Sequence, residues 1–207
     1  MKIAIAILAV LSLVALADQV AVDLGPLPEL DADWLAYDDG TPFWVFAGIT
    51  YRGVWFNVED FTPGMDGATI HESEMWFYHH SNQPWDTADA YIEIWNGDQM
   101  TPTAQLDQTM VTCTHYAPQY ATYTTPVMAE GNFWCLGNFE MSSVGTPSTL
   151  ADENLGTDSE HSFQSDDFIV WELNSTAVDY MIRVYADLTS GGSALNNATW
   201  ASVKATF

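Results

Sequence analysis

The chain has 207 residues, with 28 Asp and Glu against four Lys and Arg, for a formal net charge of −24. That balance repels nucleic acid and anionic lipid head groups and excludes both as partners, while cations, neutral glycans and basic partners stay open. The only apolar run near membrane-spanning length lies at the very N-terminus, so the rest of the chain is predicted to have no transmembrane segment.

Met1-Lys2 is a minimal basic start, Ile3 to Leu16 is apolar apart from Ser12, and Ala15-Leu16-Ala17 presents small residues to a signal peptidase. This is the order of a secretory signal, with residues 1–17 removed after Ala17. The alternative is an uncleaved anchor, for which the run is short against the ~20 residues a span needs. No Cys follows the run and no twin Arg precedes it, so the general export route is expected. Removal leaves Arg52, Arg183 and Lys204 as the basic residues. The predicted destination is secreted, extracellular or cell-surface, with the periplasm as an option.

Residues 18–33 are acidic and Pro-containing and read as a lead-in segment. From Trp34 the chain becomes a series of short β-prone runs. Tyr51 to Val58 alternates Val54, Phe56 and Val58 against Trp55 and Asn57. Ala68 to His79 sets Met75 and Phe77 opposite Trp76 and Tyr78. Ala90 to Trp95 sets Ala90, Ile92 and Ile94 opposite Tyr91, Glu93 and Trp95, and ends at the turn signal Asn96-Gly97-Asp98. Runs at Gln108 to His115, Tyr120 to Met128, Asn132 to Glu140 and Asp167 to Glu172 follow. Val178 to Asp187 then points Val178, Tyr180, Ile182 and Val184 inward and Asp179 and Arg183 outward. Gly145 to Ser165 is a long polar loop. The predicted fold is all-β, a single antiparallel β-sandwich (jelly-roll-like) over residues 34–188. Residues 189–197 form a Gly/Ser/Asn linker to a tail at 198–207.

Tyr37-Asp38-Asp39-Gly40, Gly53 to Val58, Met75 to Tyr78, Ile92 to Trp95, Phe133 to Gly137, Pro147 to Phe163 and Tyr180 to Tyr185 follow one another in an order that resembles the jelly-roll modules of exported proteins of environmental bacteria. Such modules often lie upstream of a C-terminal sorting or anchoring element. The resemblance implies fold and export, not an activity. The tail, with Trp200, Ala201, Val203 and Lys204, is similar to Thr-Trp-Gly-x-Ile-Lys endings of some of those proteins. Trp200, Val203 and Phe207 fit one helical face, and Ala201, Val203, Ala205 and Phe207 one strand face, so either a separable tail or a last strand fits.

Several residues are candidates for chemistry. Cys113 and Cys135 sit in β-prone segments of an exported chain, and a disulfide between neighbouring strands is expected, against two buried free thiols. Asp38 and Asp39, in an oxygen-rich turn, are candidate ligands of a structural Ca²⁺ together with a late-loop oxygen; Asp31, Asp33, Asp152, Glu153, Asp158, Asp166 and Asp167 supply further carboxylates. Glu72 and Glu74 share a strand face about 7 Å apart, a glycosidase-like spacing, with Glu93 and Glu140 as solitary alternatives. His71, His79 and His80 lack the geometry to share a metal. No nucleophile elbow or phosphate loop is present. Nine Trp are many for this length; Trp85, Trp95 and Trp76 are candidate sugar-stacking rings, Trp85 being the expected exposed one. The predicted function is an exported non-catalytic module with a binding or structural role outside the cell or at its surface, with a glycan or another surface protein as the candidate partner. A carbohydrate-binding module is the second reading and a glycan hydrolase the third.

Overall fold

The computed structural model describes residues 19–31, 33–80, 85, 88–142, 147–153, 160–174 and 178–190. The signal, the tail, Asp158, and all of the linker beyond Ser190 lie outside these residues.

Among the described residues thirteen strands and one short helix follow in order: β1 (Gln19–Ala21), β2 (Trp34–Leu35), β3 (Trp44–Phe46), β4 (Tyr51–Phe56), α1 (Val58–Phe61), β5 (Gly67–Phe77), β6 (Ala88–Asp98), β7 (Thr101–Cys113), β8 (Ala117–Glu130), β9 (Phe133–Asn138), β10 (Thr149–Ala151), β11 (Ser162–Ser165), β12 (Glu172–Leu173) and β13 (Ile182–Thr189). They form two antiparallel sheets. The first carries β3, β10, β5 and β8 side by side, and the second carries β4, β9, β6 and β7. The chain crosses between sheets at nearly every connection from β3 to β10, with one hairpin, β6–β7. That winding is an eight-stranded jelly roll. β1 extends the first sheet beyond β3. β13, followed by β2, lies along the same edge of β5 that meets β10 at Phe77. β11 and β12 extend the second sheet beyond β4.

Period-two patterning builds the core. Ala68, Ile70, Met75 and Phe77 of β5, with Ile182 and Val184 of β13 beside them in the same sheet, face Val54 and Phe56 of β4 and Ala90, Ile92 and Ile94 of β6 in one buried cluster. A bulge between Ile70 and Glu72 resets the alternation, so that Ser73 points inward to Tyr123 while Glu72, Glu74 and Trp76 share the outer face. Gly97 marks a second irregularity. The β6–β7 register shifts there, and a Cβ would sit 2.2 Å from the Thr101 carbonyl, so only glycine fits. Asn96-Gly97-Asp98 therefore closes the strand itself, and the turn follows at Gln99 and Met100.

Each outer face is covered by chain from outside the jelly roll. On the first sheet, Val22 and Leu27 of the lead-in pack with Val45, Trp76, Leu150 and Met181. On the second, Phe168 and Trp171 pack on Tyr51, Trp134, Leu136 and Phe163. Trp55, Trp134 and Trp95 stand in one row across β4, β9 and β6.

Four expectations need correction. The lead-in belongs to the sandwich, since β1 pairs with β3 and residues 22–31 continue over the sheet. The polar stretch from Gly145 to Ser165 holds β10 and β11, whose Leu150, Ala151 and Phe163 are buried. Asp167 to Glu172 is mostly loop, because Asp167 Oδ1 accepts the backbone N–H of Ile169 and Val170 and turns the chain, with Phe168 at φ +63°. Finally, Cys113 and Cys135 are free and buried, and burial pushes both thiols up to about 12. Cys113 lies opposite Ala88 on one side of β6, and Cys135 opposite Ile94 on the other. Six residues of strand separate those positions, about 20 Å, far beyond the ~7 Å Cα limit of a bridge.

Candidate functional site

The outer face of the first sheet carries three lateral rows, set by register. Pro118 and Trp76 form one. Tyr120, Glu74 and Arg183 form the next. Thr122, Glu72, Tyr185 and Trp34 form the third. The lead-in crosses above this face as Pro26-Leu27-Pro28-Glu29-Leu30, anchored by the Leu27 side chain and by its N–H donating to the Gly40 carbonyl at 2.7 Å. Two prolines remove donors and hold the segment extended, so it bridges the sheet instead of pairing with it. Two adjoining clefts open beneath it, of about 460 and 420 Å³.

The second cleft is lined by Glu29, Asp31, Trp34, Glu74, Trp76 and Tyr120, among others, with Arg183 in its floor. Tyr120 is 48% exposed and Trp34 half-buried, whereas Trp76 is 8% exposed. Tyr116 and Tyr78 continue the aromatic strip, with Tyr116 5.9 Å from Trp76 and 5.7 Å from Tyr78 between ring centres. At the opposite side Trp34 leans on Tyr185 at 5.8 Å. Burial and the Glu74 and Glu72 carboxylates hold the Tyr120 phenol up to about 12, so it stays a neutral donor and acceptor.

Arg183 organises the floor. Its Nε donates to both Asp38 oxygens at 3.0 and 3.2 Å, and its Nη2 donates to Asp38 Oδ1 at 2.6 Å. Nη1 donates to Glu74 Oε1 at 3.1 Å, and that oxygen also accepts the Trp76 indole N–H at 2.6 Å. The two carboxylates hold the guanidinium above its ordinary value despite the cost of burial. Arg183 is 1% exposed, so each partner of this fork is needed. Among the described residues the other basic side chain, Arg52, is also buried, inside the sandwich. The described surface therefore presents carboxylates with no Lys or Arg among them.

The Asp38-Asp39 turn is tied into the hydrogen bonds of its neighbours. Asp38 is committed to Arg183, and Asp39 Oδ1 caps the Thr41 N–H at 2.7 Å. The Asp39 N–H donates to Asp152 Oδ2, and Asp152 Oδ1 accepts from the Asp179 N–H. Burial raises the Asp152 carboxyl to about 7. Among the described residues no three His, Cys, Asp or Glu side chains stand together to hold a metal ion.

Of the three proposed stacking rings, Trp76 alone reaches the cleft. Trp85 is 4% exposed and closes the core beside Phe77, with its indole N–H on the Tyr78 carbonyl at 3.2 Å. It is not an exposed platform, because its ring packs against Phe77 and His79. Trp95 lies under Phe168 on the second sheet and donates to Glu93 Oε2 at 2.7 Å. Glu72 and Glu74 do share a face, but Oε1 of Glu74 is taken by Arg183 and Trp76, and Glu72 accepts from Thr122. Glu93 lies on the covered face of the second sheet. Of the histidines, His71 meets Asp187 at 2.9 Å, and the His79 N–H donates to His115 Nδ1.

Sequence reading missed Trp34, Tyr120 and the lead-in as parts of one site. The available signal was Arg183, one of only four Lys and Arg in the chain and placed on a strand face. A lone cation in so acidic a chain gathers carboxylates.

Among the described residues no helix is long and apolar enough to cross a membrane. No protein-family model matches the chain, no curated protein matches it, and no solved structure matches it.

Proposed function

We propose that the protein is an exported, non-catalytic jelly-roll module that binds a carbohydrate in the cleft beneath its lead-in segment. The observation that carries this reading is the cleft itself: Trp34, Trp76 and Tyr120 line a concavity of about 420 Å³ with Glu29, Asp31 and Glu74 at its rim and floor. Flat aromatic faces suit the CH faces of sugar rings, and carboxylates accept from ring hydroxyls. The volume falls in the range of small-ligand sites. Arg183 fixes Glu74 in place, and a preorganised acceptor costs no ordering when the ligand arrives.

Its test is a glycan array on the protein, followed by calorimetry on the best glycan with Tyr120→Ala and Trp34→Ala. Tyr120 is about half exposed and lies outside the core clusters, so its truncation should leave the melting temperature within a few degrees. Affinity should fall about tenfold or more, which is ~1.4 kcal/mol. Absence of binding to every glycan, or affinity untouched by both substitutions, would overturn the reading.

A further inference from the structure

We infer that the cleft selects amine-bearing sugars, glucosamine-type residues whose ammonium groups are free, over neutral and acidic ones; this rests on the carbohydrate reading above. The cleft carries a surplus of negative charge that nothing in it offsets. Asp38 and Glu74 together face one guanidinium, which leaves one negative charge over. Glu29 and Asp31 add two exposed carboxylates at the rim, and Asp39 lies on the wall of the adjoining cleft. The cations that could balance them are absent from the described surface, since Arg52 is sealed in the sandwich and Arg183 is already spent. A neutral sugar gains nothing from this field, and a uronic or sulfated one is repelled. An ammonium gains twice, from the carboxylates and from the aromatic faces of Tyr120, Trp34 and Trp76, whose quadrupoles attract cations. The whole-chain charge of −24 acts in the same direction and draws cationic ligands toward the surface.

The same features weigh against a basic peptide. The lining is a strip of aromatic side chains instead of a free sheet edge, and a flat ring fits it without the main-chain pairing that an extended peptide needs. Substituting Trp76 would disturb the hydrogen bond to Glu74, so the test rests on Glu29 and Asp31, both exposed and outside the ion network.

Titration calorimetry on the full protein compares a β-1,4-linked glucosamine tetramer with the same tetramer N-acetylated, a galacturonate tetramer and tetralysine. N-acetylation keeps the ring and removes the charge. The glucosamine tetramer should bind at least tenfold more tightly than its acetylated form at low salt, and the gap should narrow severalfold at ~0.5 M salt as screening shortens the field. The double variant Glu29→Gln/Asp31→Asn should close most of the gap. If the acetylated tetramer binds equally well, the selectivity inference falls while the carbohydrate reading stands. Tetralysine binding as tightly as the glucosamine tetramer would show that charge alone is read, and would overturn the inference. So would a gap that survives the double variant. Failure of every saccharide to bind would remove both readings together.

Discussion

The two sheets carry the same local device and put it to opposite ends. On the first, Glu74-Met75-Trp76 sets a carboxylate and an indole two residues apart on the outer face, joined by an N–H···O bond of 2.6 Å. On the second, Glu93-Ile94-Trp95 repeats it at 2.7 Å. What differs is the lateral neighbour. Glu74 lies beside Arg183, a cation, and accepts its Nη1 N–H in a cleft floor. Glu93 lies near Asn138, a neutral amide at 2.9 Å, and burial raises its carboxyl above the ordinary range. The cover differs as well. A proline-rich segment spans the first face and leaves room beneath it, while Phe168 and Trp171 press into the second, with Trp171 4.9 Å from Trp134. One strand motif thus floors an open cleft on one sheet and lies under a closed aromatic layer on the other, according to the polar groups beside it and to what lies on top.

The contrast breaks most sharply at Arg183. Arg183→Met leaves Asp38 and Glu74 buried without a counter-charge, and should cost about 3–5 kcal/mol in urea unfolding; a loss below 1 kcal/mol would mean that the triad does not act as a unit. Glu74→Gln is milder, because Arg183 keeps both Asp38 oxygens, and should cost about 1.5–3 kcal/mol, the worth of a charge-assisted hydrogen bond. Glu93→Gln should stay within about 1 kcal/mol at neutral pH, since burial already disfavours the carboxylate there. The sign of its pH dependence follows from the raised carboxyl. The folded state holds the Glu93 proton more tightly than the unfolded chain, so this group's contribution falls as pH rises from the ordinary Glu range through its raised folded value. The Gln variant should flatten that part of the stability–pH curve, and an unchanged slope would place Glu93 in a more solvated site than its packing indicates.

Much of the fold was legible because alternation is local. The inward set Ala90, Ile92 and Ile94 and the inward set Val178, Tyr180, Ile182 and Val184 are all buried as their spacing requires. The errors fall where a non-local term decides. Nothing in Thr149-Leu150-Ala151 marks a strand, and its pairing with β3 and β5 is what extends it. Arg183 does point outward on its strand, yet it is covered by a segment about 155 residues earlier in the chain. Trp85 follows a strand end with turn residues around it, and tertiary packing overrides the exposure those residues suggest. The cysteines sit in adjacent-looking runs, but β6 runs between their strands. The cleft was the least legible part, since it exists only once a lead-in without periodicity is laid across three strands.

The burial of both described arginines has a consequence for digestion. An endoprotease that cuts after basic residues must draw several residues of extended chain into its own groove. The bonds after Arg52 and Arg183 lie within β4 and β13, each paired on both sides. The other two basic residues, Lys2 and Lys204, lie close to the chain ends. Trypsin acting on the folded protein therefore meets internal sites only in molecules whose sheets have opened, so the rate of internal cleavage reports the population of that opened state. Placing these two arginines inside the sheets turns the strands themselves into the guard of the peptide bonds that follow them.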